Sequence, residues 1–151
     1  MFKQLKTDES GLTLIELTIV IAILGILAAF IAPRVIDAID DARVGKAQTE
    51  IASLKVALSL YVIDVGSYPS TEEGLDALWT APSQATPNWD GPYIQDPVTN
   101  DPWGRPYVYR YPGTHPNYEY DLLSYGKDGK LGGEKLNADI TNWVQETTAA
   151  Q

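Results

Sequence analysis

Oxygen-bearing side chains gather in the glycine-rich segment GKDGKLGGEKLNADI, residues 126–140. Asp128, Asn137 and Asp139 offer carboxylate and amide oxygens, and the loop leaves backbone carbonyls free. Calcium binds about six to eight such hard oxygen ligands in proteins. The alternating D-x-D-x-D ladder of an EF-hand is missing. Two interpretations therefore stand side by side, a calcium loop and a simple tight turn at Asp128-Gly129-Lys130.

Catalytic chemistry has little support in the sequence. His115 is the only histidine and there is no cysteine, so an ordinary zinc site lacks ligands. A G-x-S-x-G nucleophile elbow is also missing. A membrane-tethered enzyme would need convergent acid, base or nucleophile residues, and none stands out. We interpret His115 as a solvated turn residue.

A single carboxylate, Glu16, interrupts the apolar run from Leu12 to Ala32. As a helix this run reaches about 31 Å, close to the ~30 Å hydrocarbon core of a bilayer. A signal-peptide core is shorter, at ~7–15 residues. A charged side chain inside such a helix costs roughly 2.5–3.5 kcal/mol on insertion scales. Glu16 therefore either snorkels to the headgroups or needs a partner, and the sequence offers none nearby.

Gly11 directly precedes the apolar run, and a small residue at that position suits proteolysis. Cleavage after Gly11 would leave a new ammonium group on Leu12. That ammonium of one chain could pair with Glu16 of the next chain. The pairing supplies the missing partner only if the protein is a polymer.

Helical periodicity continues beyond the apolar run. Apolar residues recur at steps of three and four at Ala47, Ile51, Leu54, Leu58 and Tyr61. Gly66, followed by Pro69, is typical of a helix end. The pattern predicts one helix from about Leu12 to Val65, with a kink at Pro33. Its first half would lie in lipid and its second half would pack on a domain.

The remaining predicted elements are short. The segment Ser70-Thr71-Glu72-Glu73 fits a capping box and predicts a short helix over residues 71–80. Residues 107–111 alternate like a strand, and residues 118–125 do so more loosely. A turn at 112–117 would join them into an antiparallel pair. These elements together predict an α+β fold.

Length and charge narrow the function further. A chain of 151 residues suffices for one membrane helix and one small globular domain. The net charge of −9 argues against nucleic-acid binding, which needs a basic face. Without cysteine, a metal or oligomerisation would have to replace disulfides as the staple. Lys3 and Lys6 before the apolar run favour a cytoplasmic amino terminus.

The amino-terminal motif resembles a known signal. GLTLIEL, from Gly11 to Leu17, with Pro33 ending the apolar stretch, resembles the class III signal of type IV pilins and pseudopilins. The resemblance implies that a prepilin peptidase cuts between Gly11 and Leu12 and methylates the Leu12 amine. It also implies that Glu16 guides assembly.

Later motifs are similar to those of the major pseudopilins of the type II secretion system. They are YPSTEEGLDAL (68–78), DPWGRPYVY (101–109), YDLLSYGKDGKLGGE (120–134) and ADITNW (138–143). The resemblance implies a non-enzymatic homopolymer that works with minor pseudopilins and an inner-membrane assembly platform. Its periplasmic filament would push folded exported proteins through an outer-membrane secretin. The alternative is a type IV pilin of a surface fibre for adhesion or motility, against which the lack of cysteine and the DPWGRPY motif argue.

The resemblance also implies a type IV pilin-like architecture. A long amino-terminal helix would pack on a small antiparallel sheet, with a long αβ loop and a carboxy-terminal calcium-type loop. The expected divisions are a leader at 1–11, a transmembrane helix at 12–32, a periplasmic half-helix at 33–66 and a globular region at 67–151. The chain would cross the bacterial inner membrane once, with its amino terminus cytoplasmic and its globular region periplasmic.

The calcium loop departs from the family pattern. The family sequence resembles D-G-x-x-G-G-x-D-x-D-A-D-I, and here Lys135 and Asn137 replace the second and third aspartates. A lysine offers no acceptor, so we expect only a weak calcium site. The alternative is an ion pair between Asp128 and Lys135 that fixes the loop without metal. The expected ligands are Asp128, Asn137 and Asp139, with the backbone carbonyls of Leu123 and Lys130.

Overall fold

A computed structural model of the chain describes residues 13–83, 87–98 and 100–144. Its elements in chain order are helix α1 (Leu14–Val65), a 3-10 helix (Gly74–Leu78), strand β1 (Val108–Arg110), strand β2 (Asp121–Ser124), a second 3-10 helix (Lys135–Asn137) and strand β3 (Ile140–Thr141). The expected α+β class is confirmed. The predicted processing residues Gly11 and Leu12 lie outside the described residues.

Helix α1 is a single element of 52 residues. It runs through Pro33 without ending there, and the kink expected at that residue stays a prediction. Gly66 follows the helix with a φ of +90°, the left-handed conformation that favours glycine at a helix end. Its N–H donates to the carbonyl of Val62 at 2.9 Å. The predicted long helix and its glycine stop are confirmed.

The chain divides into two units, Met1–Ala38 and Ile39–Gln151. In the first unit every described side chain is exposed, including Phe30 at 73%. By length and composition, α1 is the one helix in the described part of the chain that could cross a membrane.

The second unit has the hydrophobic core. All five residues of the predicted apolar helix face are buried, and Leu58 has no exposed surface. They share the core with Tyr120, which directly precedes β2, and with residues of the first 3-10 helix and the sheet, namely Leu75, Ala77, Leu78, Tyr109, Leu122 and Ile140.

The sheet has three antiparallel strands in the order β1-β2-β3. Leu123 in β2 faces Val108 on one side and Thr141 on the other. The predicted pair of strands is confirmed, although both strands are shorter than expected. Strand β3 was not predicted, because a strand of two residues is too short to show an alternating pattern.

The predicted capping box at Ser70 and Glu73 is confirmed. The Ser70 N–H donates to Glu73 Oε2 at 2.8 Å, and the Glu73 N–H donates to Ser70 Oγ at 3.2 Å. The helix expected over 71–80 was wrong, since only a five-residue 3-10 helix from Gly74 to Leu78 forms. Gly74 takes a φ of +60°, and a right-handed α-helix cannot pass through that conformation.

Candidate functional site

The start of α1 is a second capping box, at Thr13 and Glu16. The Thr13 N–H and the Thr13 hydroxyl both donate to Glu16 Oε2 at 2.8 Å. The Glu16 N–H donates in return to Thr13 Oγ1 at 3.3 Å. Glu16 therefore has a neutral hydrogen-bond partner, Thr13, that we did not expect, whereas its charged partner stays a prediction. The T-x-x-E spacing was the available signal, and the same signal was recognised only at Ser70 and Glu73.

The Thr13 contacts satisfy hydrogen bonds but leave the charge of Glu16 unbalanced. Both donors are neutral, and no cation contacts Glu16 in the described part of the chain. A carboxylate is also favoured at a helix amino terminus, where backbone N–H groups point outward. The capping box therefore fixes the position of the carboxylate and leaves room for a positive partner.

The carboxy-terminal loop is tightly curled by glycines. Gly126, Gly129, Gly132 and Gly133 have φ values of +61°, +68°, +90° and +93°. A Cβ at Gly126 would lie 2.6 Å from the carbonyl oxygen of Ala138. Larger residues at these positions would strain the backbone, so the glycines bring the two ends of the loop together.

Two of the expected calcium ligands lie within electrostatic reach of each other. Asp128 Oδ1 accepts the N–H of Lys130 at 3.1 Å, and Asp139 Oδ2 accepts the N–H of Gly132 at 2.9 Å. Burial raises the pKa of Asp139, the Gly132 hydrogen bond lowers it in part, and the negative charge of Asp128 raises it further. A bound cation would relieve this repulsion between carboxylates.

The described residues of this loop do not form a cluster of metal-binding side chains. Across residues 13–83, 87–98 and 100–144 there is no cluster of three or more histidine, cysteine or acidic side chains that could hold a metal. Asn137 adds an amide oxygen, Leu123 lies in the central strand, and Lys130 lies beside Asp128. Of the expected side-chain ligands, only two carry charge. The expected site thus keeps its carboxylates and lacks the anionic excess of the family pattern.

The alternative staple, an ion pair between Asp128 and Lys135, does not form. Both residues are described and exposed, and the ion pairs of the described region do not join them. Lys135 instead takes a left-handed φ of +55° at the start of the second 3-10 helix.

Arg105 is an anchor of the loop that sequence analysis missed. Its Nη2 donates to the carbonyls of Gly126 and Lys127, and its guanidinium packs against Gly129. Buried Asp101 orders the preceding turn by accepting the Arg105 N–H at 2.9 Å. The signal lay in the DPWGRP motif, which served only as a mark of resemblance.

Lys127 ties the same loop to α1. Its Nζ lies 2.6 Å from Oδ2 of Asp40, and Arg43 lies 3.4 Å from the other oxygen of that carboxylate. The hydrogen bond from Lys127 lowers the pKa of Asp40 despite the burial of the carboxylate. Arg105 thus holds the carbonyls of residues 126–127, and Asp40 of α1 holds the side chain of Lys127.

His115 lies in a bend with its side chain 42% exposed, so it is partly solvated as expected, but it also has partners that we did not expect. Its Nδ1 lies 3.0 Å from Oδ1 of Asp121, and its ring stacks on Trp143 with centroids 3.6 Å apart. The Thr114 hydroxyl donates to Asp121 at 2.6 Å, so this hydroxyl is engaged by the carboxylate and is not activated by the imidazole. Burial alone would raise the pKa of Asp121, and the hydrogen bonds from Thr114 and His115 outweigh it, lowering the pKa to about 2. The group is structural.

Comparison with known proteins identifies the family. A family described as "Type II secretion system (T2SS), protein G" matches residues 34–143. The chain belongs to the type II secretion system protein G family. A second match, to the "Prokaryotic N-terminal methylation motif", covers residues 6–32 and includes the start of α1.

Curated relatives of this family cover nearly the whole chain. The type II secretion system core protein G of Pseudomonas aeruginosa is 45% identical over 142 residues, covering 91% of this chain and 97% of the relative. Those of Vibrio cholerae and Escherichia coli K12 are each 42% identical, covering 89% and 91% of this chain and 92% and 93% of the relatives.

A solved structure supports the same family. The crystal structure of the major pseudopilin from the type 2 secretion system of enterohaemorrhagic Escherichia coli is 34% identical, with a TM-score of 0.55. The match covers 69% of this chain and 89% of that chain. The family is one of structural secretion-system subunits rather than of enzymes.

Proposed function

We propose that this chain is the major subunit of the periplasmic pseudopilus of a type II secretion system. Its copies polymerise into a filament that pushes folded exported proteins through the outer-membrane secretin. The main support for this proposal is that one chain contains both a protein G domain and an amino-terminal methylation motif. The motif extends into a helix that is long and apolar enough to cross a membrane. The protein acts by assembly and has no catalytic role.

Processing of the amino terminus creates a positively charged amine that can balance the charge of Glu16. A prepilin peptidase cuts between Gly11 and Leu12 and methylates the new Leu12 amine. The match to the methylation motif over residues 6–32 supports this step. Before assembly the protein lies in the inner membrane, with its amino terminus cytoplasmic and its second unit periplasmic. Minor pseudopilins and the inner-membrane assembly platform are its partners there.

Assembly then joins Leu12 of one copy to Glu16 of the next. The methylated Leu12 amine is a cation, and Glu16 is a carboxylate that Thr13 positions with neutral donors. Opposite charges attract strongly where water is scarce. The pair therefore offsets the cost of keeping Glu16 in an apolar helix, and it does so only in the polymer.

Mass spectrometry of the mature protein tests this function at its first step. We expect a chain that begins at methylated Leu12, and uncut precursor when Gly11 is replaced by a bulky residue. The matched control is Gly25→Ala, since a Cβ at Gly25 meets nothing within 4 Å. Normal maturation of the Gly11 variant, or secretion that continues after deletion of the chain, would contradict the proposal.

Calcium is the ligand we propose for the carboxy-terminal loop. Asp128 and Asp139 would supply the charged oxygens, with the side chain of Asn137 and the carbonyls of Leu123 and Lys130. Bound there, the ion would neutralise Asp128 and Asp139, and it would offset the negative charge of Asp128 that raises the pKa of Asp139. Because only two ligands are anionic, and because Arg105 and Lys127 already fix residues 126–127, we expect weak binding with a small effect on stability.

A further inference from the structure

The second unit exposes an apolar ridge on α1. Val56, Leu60 and Ile63 recur at helical spacing and are 62%, 47% and 75% exposed. They lie on the side of α1 away from the buried face, because Leu54 and Leu58 point into the core. The ridge is not needed for folding of this unit, and large apolar side chains in water mark a contact surface when they cluster.

The ridge continues an uncharged stripe along the same side of the helix. Three exposed residues extend it toward the start of the unit: Ala42, Gly45 and Ala52. Two copies of a chain with a net charge of −9 repel each other over most of their surfaces. This stripe is a part of the surface where a second copy can approach without that repulsion.

A groove of about 920 Å³ lies elsewhere on the same unit, beside an earlier part of α1. Thr49 and Ser53 form its helix wall, and Ile94, Pro97 and Val98 form the opposite wall. Glu50 also lines the groove, but Tyr107 donates to it at 2.5 Å and Lys46 lies 3.5 Å away. The groove therefore has a mostly apolar lining to which Gln95 and Asp96 add polar groups, and its inner carboxylate, Glu50, is already paired.

We propose that the ridge of one copy docks in the groove of the next copy. The proposal rests on the proposed function, since it names the contact between pseudopilus subunits. Ridge and groove are different surfaces of one molecule, so the contact is heterologous and propagates into an open helical polymer. The centres of the two surfaces lie about eight residues apart on α1, which sets an axial step of ~12 Å between parallel neighbours.

The small area of the ridge favours contact within a polymer of this chain over an isolated dimer. Three partly exposed side chains cover far less than the ~800 Å² per partner that a stable pair buries. A contact this small holds two copies together only when each copy is fixed by other contacts as well. A filament supplies that condition, because each internal subunit uses its ridge and its groove at once.

Charge on the ridge tests the contact in the full-length protein. We expect Leu60→Asp with Ile63→Asp to lower filament yield at least tenfold while membrane insertion and protease resistance stay unchanged. The control is Val144→Asp, which places one aspartate at an apolar residue that is 82% exposed and off the ridge. Wild-type filament yield from the ridge variant would overturn the inference.

Thiol cross-linking tests the register, because the native chain has no cysteine. In filaments with Ile63→Cys and Asp96→Cys on one chain, a short bismaleimide should give a ladder of dimers, trimers and larger products. Each single variant should give no ladder. Dimers that form from Ile63→Cys alone would show a symmetric contact and overturn the inference. If the wild-type chain forms no filaments, the proposed function itself fails, which separates the two outcomes.

Discussion

Two carboxylates of this chain each accept two hydrogen bonds from one threonine, and they differ in their other partners. Glu16 accepts the N–H and the hydroxyl of Thr13, both at 2.8 Å. Asp121 accepts the N–H and the hydroxyl of Thr114, at 2.9 and 2.6 Å. Asp121 has in addition the imidazole of His115 at 3.0 Å and the guanidinium of Arg110 at 4.0 Å.

Asp121 has charged partners in its own chain, whereas among the described residues no cation contacts Glu16. Asp121 is buried in the globular unit and has charged and neutral partners from its own chain. Within the part of the chain that the structure describes, Glu16 has neutral partners only, and it lies in an apolar helix that suits a membrane. A charge held in place without a countercharge is what an assembly contact requires, since the missing cation can come from a second copy.

The largest expected effect comes from removing the Glu16 carboxylate. Glu16→Ala should insert into the membrane at least as well as the wild type, because a cost of roughly 2.5–3.5 kcal/mol for a buried charge disappears. Filament yield should nevertheless fall by tenfold or more. Membrane fractionation and electron microscopy measure the two quantities separately. Filaments at wild-type yield would mean that Glu16 only snorkels to the headgroups.

Removing the charge of Asp121 should change the stability of the fold rather than the assembly of filaments. The pKa of Asp121 falls from 3.8 to about 2 on folding, so its ionised form stabilises the fold. By linkage this is about 2 kcal/mol above pH 4, lost progressively as the pH falls toward 2. Asp121→Asn should thus be about 2 kcal/mol less stable than the wild type at pH 7.

Denaturant unfolding of the full chain in detergent measures this difference as a function of pH. The gap between wild type and Asp121→Asn should narrow between pH 4 and pH 2. Asp90→Asn, at an exposed carboxylate, is the matched control and should leave stability unchanged. A gap that stays constant down to pH 2 would contradict the role assigned to the Asp121 charge.

Substitutions of the two threonines should also differ in their effects on stability and on filament yield. Thr114→Val removes a hydroxyl donor from a buried carboxylate and should cost about 1–3 kcal/mol of stability. Thr13→Val removes a helix cap and should cost about 1 kcal/mol or less of stability. It should keep most of its filaments, because the Glu16 charge that assembly needs remains. Unfolding and filament yield are measured on both variants. Equal loss of filaments from the two variants would contradict the distinction between the Glu16 site and the Asp121 site.

The sequence predicted the long helix, its buried face and the family because each has a repeating or extended signal. The apolar steps from Ala47 to Tyr61 cover several turns of α1, so the helical period was unmistakable. Strand β3 and the 3-10 helix at Gly74–Leu78 were missed or misjudged because two to five residues carry no period. For elements this short, tertiary contacts decide the conformation.

Site residues were predictable where a local motif exists and unpredictable where the fold supplies the partner. The carboxylates of the loop were visible in the sequence, whereas the contacts of Arg105 with Gly126 and Lys127 span more than twenty residues. His115 likewise gained its partners from Asp121 and Trp143 through folding. The Thr13 box is local, and its T-x-x-E spacing lies at the start of the apolar run.

The smallest expected effect is that of calcium. Millimolar calcium should raise the melting temperature of the full chain in detergent by no more than a few degrees over chelator, in line with a weak site. Magnesium is the control ion, and Asp128→Asn with Asp139→Asn should abolish the calcium effect. An unchanged melting temperature in the wild type up to millimolar calcium would mean that Arg105 and Lys127 hold the loop without metal.

Filament yield of Glu16→Gln tests the central claim most directly. Glutamine keeps the T-x-x-Q form of the capping box, so the Thr13 contacts persist while the charge is lost. If Glu16 pairs with the Leu12 ammonium of a neighbouring copy, Glu16→Gln should lose filaments as completely as Glu16→Ala. Wild-type filament yield from Glu16→Gln would show that helix capping is the whole role of Glu16, and would contradict the pairing.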